Sequence, residues 1–173
     1  HRVAEKKMKL QHLAEEQQKG TYAGVRFDAA TTDALHKYIK DNKIPNAVPP
    51  EHFHTTVLYS RKYCPNYKPL SKISPPFIGV PSGLDVWKTQ DGKNALVLKY
   101  NCKDLVDRHN QLMKEHNATY DYPKYQTHIT LSYDIGNLDH TTLPDVKKTI
   151  SKIYIIKEYG EDLDLDWKAK INK

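Results

Sequence analysis

The hydrophobic positions of this chain repeat with two different periods, and the period changes from one segment to the next. Segments rich in β-branched and aromatic residues, with a period of about two, predict β-strands. Segments with a period near 3.6 and a polar opposite face predict amphipathic helices. Strands are expected at residues 21–27, 54–60, 77–90, 94–100, 127–133 and within 152–167, and the longer helices at 4–18, after Asp28 and at 103–117.

Residues with strong local preferences mark the ends of these elements. Asp28, or one of the two threonines at 31 and 32, can cap the second helix by accepting a hydrogen bond from its first turn. The proline-rich segment 42–50 is predicted to be a loop, because proline disrupts both helices and central strands. Asp91 and Gly92 lie between two apolar segments and strongly indicate a β-hairpin turn.

The order of the predicted elements indicates the fold class. A short last helix is expected after Thr141 or Thr142 with Pro144 in its first turn, which gives the order β-α-β-(ββ)-α-β-α-β. Hairpins with interspersed helices are typical of an α+β fold with antiparallel sheets. A strand–helix–strand unit occurs twice, and its second strand begins at His54 or at His128. A length of 173 residues suits one domain.

Composition narrows the class of protein. Hydrophobic residues make up 38% of the chain and charged residues 28%, as in globular proteins. The apolar runs are too short to cross a bilayer, so no membrane partner is expected. The basic start of the chain lacks the apolar segment of a secretory signal. A chain that opens on His1 is expected to have a trimmed or altered start.

Charge and cysteine content indicate a partner and a compartment. The net charge of +6 favours acidic partners, and a small phosphorylated ligand in particular. No run of Lys and Arg of the kind that follows a long nucleic acid is present. Cys64 and Cys102 form no CxxC motif, so both are expected as free thiols in a reducing cytoplasm.

The strands that begin at His54 and His128 carry the same motif, His-x-Thr followed by an apolar residue. Side chains two residues apart share a strand face, so each histidine lies on the same face as Thr56 or Thr130. If the two strands face each other, two imidazoles and two hydroxyls converge. The opposite face is expected to pack in the core and carries Thr55, Val57, Tyr59, Ile129, Leu131 and Tyr133.

This set of side chains suits phosphodiester chemistry without a metal or cofactor. With a pKa near 6.5, one neutral imidazole can remove a proton while a protonated one donates to the leaving oxygen. The threonine hydroxyls can donate to phosphate oxygens. The alternative is a pair of histidines hydrogen-bonded in a core. His52 could join His54 at a metal, but zinc usually needs three or four protein ligands, so no metal is predicted.

The paired motifs and their β-α-β framing resemble the 2H phosphoesterase superfamily, which includes the RNA ligase-like cyclic phosphodiesterases. The segments "MKLQHLAEEQQKGTYAGVRFD", "IPN", "LDVWKTQDGK" and "YQTHITLSYD" are similar to the phage anti-CBASS cyclic-oligonucleotide nucleases. Many members have proline directly before the second histidine, where this chain has Thr127. The resemblance implies a bilobal α+β fold with two pseudo-symmetric antiparallel sheets, helices outside and a central cleft.

The resemblance also implies residues and a substrate. The catalytic residues would be His54, Thr56, His128 and Thr130, and Tyr22 and Trp87 would stack on the bases of the ligand. For both rings the alternative is an ordinary core aromatic. Glu158 is a candidate for reading a base edge or positioning a histidine, or else a solvated strand carboxylate. Three further residues are expected to line the cleft or meet a phosphate: Tyr122, Tyr125 and Lys19.

The expected function is metal-independent cleavage of the 3′–5′ bonds of cyclic di- and trinucleotide messengers such as 3′3′-cGAMP. In the implied role, a phage protein acts in the host bacterial cytoplasm against CBASS defence, as a monomer or weak homo-oligomer. Two alternatives stay open. One is a 2H enzyme that acts on RNA ends or 2′,3′-cyclic phosphates, and the other is a protein that sequesters cyclic nucleotides without cutting them.

Overall fold

A computed structural model describes residues 19–165 of the chain. Its strands and helices follow in the order β1 (Lys19–Phe27), α1 (Ala29–Asp41), β2 (Thr55–Ser60), β3 (Phe77–Lys88), β4 (Asn94–Asn101), α2 (Lys103–Glu115), β5 (His128–Ser132), α3 (Val146–Thr149) and β6 (Ile153–Asp164). The helix predicted at 4–18 lies outside the described residues.

All six strands form one antiparallel sheet in the order β2-β1-β6-β3-β4-β5. Strand β3 joins its two halves, because Phe77–Gly79 pairs with β6 while the rest of β3, from Val80 onwards, pairs with β4. The first half-sheet is therefore β2-β1-β6 and the second is β3-β4-β5. Each half has one His-x-Thr motif at its outer edge, His54 directly before β2 and His128 at the start of β5. The predicted α+β class with antiparallel pairing is confirmed.

The predicted cap of the first described helix and the predicted hairpin turn are both present in the structure. The side chain of Asp28 accepts a hydrogen bond from the backbone N–H of Thr31 and caps α1. The hairpin turn between β3 and β4 contains Gly92 at φ +80°, a conformation that glycine adopts without strain. The expectation for the last helix is wrong, because Asp145 caps α3 and Pro144 lies before it. Thr141 and Thr142 instead belong to a separate 3₁₀ turn.

One face of the sheet packs into the core and the other carries the motifs. Cα partners in a ladder project to the same face, and residues along a strand alternate. In β1 the core side carries Ala23 and Val25, both fully buried. We call the opposite face the site face; in β1 it carries Tyr22, Gly24 and Arg26. Among the described residues no helix is long and apolar enough to span a bilayer.

Both motif strands contain a β-bulge at the same place. In β2, Thr56 pairs with Gly24 and Leu58 with Ala23, so Val57 is the extra residue. In β5, Thr130 pairs with Val97 and Ser132 with Leu96, so Leu131 is the extra residue. Each bulge lies three residues after a motif histidine, which gives the two halves matching local geometry.

The first bulge corrects one assignment made from alternation. Beyond Val57 the parity of β2 is inverted, and Tyr59 pairs with Tyr22 on the site face instead of packing in the core. The two rings are in edge contact with centroids 6.4 Å apart. Tyr133, the corresponding position after the second bulge, is 52% exposed and is also not a core residue.

Candidate active site

His54 is tethered by the turn that precedes β2. Its Nδ1 lies 2.9 Å from the carbonyl oxygen of His52. Because a carbonyl only accepts hydrogen bonds, Nδ1 must carry the proton in this contact. A neutral His54 therefore has Nε2, on the far side of the ring, as its basic atom, and a protonated His54 has Nε2–H as a donor.

His128 is held in the same way. Its Nδ1 lies 2.9 Å from the carbonyl oxygen of Gln126, again two residues back along the chain. Burial lowers the pKa of His128; the hydrogen bond to Gln126 acts in the opposite direction, and the nearby charge of His54 lowers the pKa further. The two imidazoles thus share one tautomer, and they are close enough for one charge to act on the other.

A direct hydrogen bond connects the two motifs. Thr55, which follows His54, donates its hydroxyl to the carbonyl oxygen of His128 over 2.8 Å. Tyr100, which is fully buried, donates in turn to the Thr55 hydroxyl over 2.7 Å. The middle residue of one motif is therefore bonded to the main chain of the other histidine, and this fixes their relative position.

The motif threonines lie beside the histidines as the alternation predicts. Thr56 Oγ1 is 2.9 Å from the hydroxyl of Tyr22. Burial raises the pKa of Tyr22, so this phenol keeps its proton at neutral pH. The ring of Tyr22 lies 6.4 Å from that of His54 in an edge arrangement. Thr130 is half-buried and shares its strand face with His128.

Trp87 lies against the second histidine. Its ring centroid is 4.4 Å from that of His128, at an interplanar angle of 57°. The indole Nε1–H donates to Asp85 over 3.1 Å, and Lys99 pairs with the same carboxylate oxygen at 3.4 Å. Asp85 therefore fixes the plane of the tryptophan ring beside His128. Tyr22 and Trp87, one in each half, both border a motif histidine.

Sequence reasoning missed a basic and aromatic group beside His54. Arg26 donates from Nη1 to the carbonyl oxygen of Phe53 over 3.0 Å, and its guanidinium lies 4.6 Å from the ring centroid of Tyr159. Gly24 makes room for that ring, because a Cβ at this position would lie 2.7 Å from the Tyr159 hydroxyl. Glu161 pairs with Tyr22 and shares its face. Only the β1–β6 register reveals this group.

The structure does not bring Glu158 to the site face. A bulge at Ile156 inverts the parity of β6, and Glu158 pairs with Val25, a core residue. Its carboxylate is 1% exposed and accepts from Arg108 Nε at 2.8 Å and from the Tyr67 hydroxyl at 2.6 Å. Contact with a base edge is thus not supported by its position, and Glu158 belongs to a buried ion pair between β6 and α2.

The other three candidates differ in position. Tyr125 donates its hydroxyl to the carbonyl oxygen of Thr56 over 2.6 Å, and its ring stacks on the buried ring of His109. It therefore stabilises the main chain of the first motif. Tyr122 is 67% exposed and contacts Tyr120. Lys19 is exposed at the beginning of β1, on the strand face opposite to Tyr22.

His52 lies in a 3₁₀ turn, Pro50–His52, and not in the strand. It is exposed and contributes its carbonyl oxygen to the tether of His54. Within residues 19–165 no group of three or more His, Cys, Asp or Glu side chains could hold a metal ion.

This antiparallel sheet, with one His-x-Thr motif on each half, has the 2H phosphoesterase fold. It is shared with the apo form of E. coli LigT at a TM-score of 0.51 and 13% identity, over 83% of this chain and 86% of LigT. The E. coli LigT structure complexed with phosphate has a TM-score of 0.50 and 10% identity, over 84% of this chain and 94% of LigT.

The sequence comparisons narrow this class to one family. The family described as Anti-CBASS protein Acb1 matches residues 19–170, and the chain belongs to it. Anti-CBASS protein Acb1 of Vibrio phage KVP40 is 39% identical over 162 residues, which cover 94% of this chain and 98% of that protein. Anti-CBASS protein Acb1 of Enterobacteria phage T4 is 40% identical over 149 residues, which cover 86% of this chain and 91% of that protein.

Proposed function

We propose that this protein is a metal-independent phosphodiesterase that cuts the 3′–5′ bonds of cyclic di- and trinucleotides and so opposes CBASS defence. The family supports this choice of substrate, because its members are named for opposing that defence. The reaction follows from the matched tethers of His54 and His128. In both, Nδ1 donates to a carbonyl two residues back, so both Nε2 atoms serve proton transfer in the same tautomer.

The proposed nucleophile is the ribose 2′-hydroxyl next to the scissile phosphate. Neutral His128 accepts the hydroxyl proton at Nε2 while the 2′-oxygen forms a bond to phosphorus. The bond from phosphorus to the 5′-oxygen breaks, and protonated His54 gives its Nε2 proton to that oxygen. The products of this step are an opened ring with a 2′,3′-cyclic phosphate and a free 5′-hydroxyl.

The assignment of base and acid rests on the different surroundings of the two rings. Burial lowers the pKa of His128, and this favours the neutral form that a base requires. A positive charge on His54 lowers that pKa further, so the state with a proton on His54 alone is favoured over the doubly protonated one. Proton transfer of this kind contributes roughly 10²–10⁴-fold to the rate.

The threonines and Tyr22 are proposed to stabilise charge on the phosphate. Hydroxyls of Thr56 and Thr130 can donate to the non-bridging oxygens as negative charge develops. Because Tyr22 keeps its proton, its hydroxyl can donate to Thr56 Oγ1 and free the threonine proton for the phosphate. Tyr22 and Trp87 present ring surface beside each histidine, which suits base stacking.

The test is turnover of a panel of cyclic dinucleotides in EDTA, followed by mass spectrometry. We expect cleavage in EDTA, and loss of cleavage in His54→Ala and His128→Ala. Both variants should still bind ligand in calorimetry, since the aromatic rings remain. His52→Ala is the matched control and should keep most activity, because only its main-chain carbonyl contacts His54.

Three results would overturn the proposal. Ligand depletion without product would indicate sequestration. Turnover of RNA ends or 2′,3′-cyclic phosphates, with intact cyclic dinucleotides, would indicate the other 2H activity. Loss of turnover in EDTA with recovery on added zinc or manganese would exclude the metal-free route.

A further inference from the structure

Two positive charges face each other across β1 and β6. Arg26 and Lys157 are Cα partners on the site face, where directly opposed like charges destabilise a sheet. Between residues 19 and 165 neither cation has a carboxylate within ion-pair distance. Arg26 is held by a carbonyl oxygen and an aromatic ring, which position its charge without neutralising it. Such an arrangement is suited to an anion.

The pair lies directly beside the first motif. Val25 pairs with Thr55, so Arg26 is level with His54 on the neighbouring strand, and it also bonds to the carbonyl of Phe53. Lys157 is one strand further from His54. An anion bound between the two cations would therefore lie next to His54 and away from the second motif.

The second half-sheet shows why this charge is unusual. Lys99 is the Cα partner of His128. It therefore corresponds to Arg26, which is level with His54 in the first half. Lys99, however, forms an ion pair with Asp85. The Cα partner of Asp85 on β4 is Val97, whose Cα partner on β5 is Thr130. The register counterpart of Asp85 in the first half is Tyr159, which stacks on Arg26 and has no negative charge at neutral pH. Of these matched positions, the cation beside His128 therefore has a carboxylate partner and the cation beside His54 has an aromatic ring in its place.

We infer that Arg26 and Lys157 bind the second phosphate of the cyclic substrate, the one that is not being cut. This inference rests on the proposed function. A cyclic dinucleotide carries two phosphates, and the histidines and threonines account for one. A guanidinium and an ammonium together donate charge-assisted hydrogen bonds that phosphate oxygens accept. The pair would favour rings with two or more phosphates over ligands with one.

The experiment measures binding of 3′3′-cGAMP and of a 2′,3′-cyclic mononucleotide to His128→Ala protein by calorimetry. Adding Lys157→Ala should weaken binding of the ring by about tenfold or more, the loss expected for a hydrogen bond to a charged group. Binding of the mononucleotide, with one phosphate, should change by less than about twofold. Lys157→Arg should restore ring binding, and high salt should narrow the difference between variants.

Lys147→Ala is the matched control, since it removes the same charge from an exposed lysine on α3. It should leave both affinities unchanged. The inference is overturned if Lys157→Ala leaves ring binding unchanged, or weakens both ligands equally. If the wild-type protein neither binds nor cuts any cyclic dinucleotide, the proposed function itself fails. If the wild-type protein cleaves a cyclic dinucleotide but Lys157→Ala does not change its binding, only the second-phosphate site is refuted.

Discussion

His109 and Val57 are joined by a 2.6 Å hydrogen bond from the imidazole Nδ1–H to the carbonyl oxygen. Val57 is the bulged residue of the first motif strand, so its carbonyl is displaced from the ladder. At the matching bulge of the second strand, the carbonyl of Leu131 accepts instead from the backbone N–H of Val48 over 2.9 Å. One bulge is therefore held by an amide and the other by a titratable side chain.

Replacing His109 by phenylalanine should therefore disturb the first motif. The new ring can keep the stack on Tyr125, but Val57 loses its donor, and an unsatisfied buried carbonyl costs about 1–3 kcal/mol. We expect a lower free energy of unfolding in urea and a lower kcat, with the KM for the cyclic dinucleotide less affected. His36→Phe, on α1, is the control. An unchanged kcat would show that this hydrogen bond does not position Thr56.

Acidification should lower the free energy of unfolding through protonation of His109. Burial lowers the pKa of His109, so between the unfolded and folded pKa values the unfolded chain binds more protons. The stabilising contribution of neutral His109 is complete above its pKa in the unfolded chain. It is lost as the pH falls from there towards its pKa in the folded protein. The stability difference between wild type and His109→Phe should therefore shrink on acidification in urea titrations. A constant difference from pH 8 to about 5 would contradict this assignment.

The titration of His128 should depend on His54. Because burial and then the charge of His54 lower the pKa of His128, His54→Gln should raise it. The measurement is an NMR titration of the imidazole signals, with His109 as the internal reference that should not move. A pKa of His128 that stays constant or falls in His54→Gln would indicate that the two rings do not interact electrostatically.

Glu158 should be needed for stability and not for ligand choice. Glu158→Gln removes the carboxylate opposite Arg108, whose side chain is only 9% exposed. Breaking one side of a buried ion pair typically costs about 3–5 kcal/mol, so we expect a much lower melting temperature. Preference among cyclic dinucleotides should stay the same below that temperature. Normal stability with altered base preference would instead restore the role in base recognition.

A cyclic dinucleotide without the 2′-hydroxyl beside each scissile phosphate should bind and resist cleavage. Supplying the nucleophile from the substrate removes the entropic cost of positioning a separate water. With the natural ring, ¹⁸O from labelled water should enter only when the 2′,3′-cyclic phosphate opens, as read by mass spectrometry. Cleavage of the deoxy analogue at a similar rate would indicate that the histidines activate water instead.

Much of the site was predictable because it depends on local chain geometry. The motif of His54 and Thr56 shares a strand face in any strand, and the same holds for His128 and Thr130. The cap at Asp28 acts within one helical turn. These features need no knowledge of distant residues, so the sequence alone determined the approximate positions of the strands, the cap at Asp28, the α+β class and the presence of two matching motifs.

Tertiary structure decided which side of each strand faces the site. Bulges at Val57 and Ile156 invert the alternation, which moved Tyr59 to the site face and Glu158 into the core. A bulge is stabilised by partners far along the chain, such as His109 for Val57, so a local pattern does not reveal it. The apposition of Arg26 and Lys157 likewise depends on the register between β1 and β6, which long-range pairing alone sets.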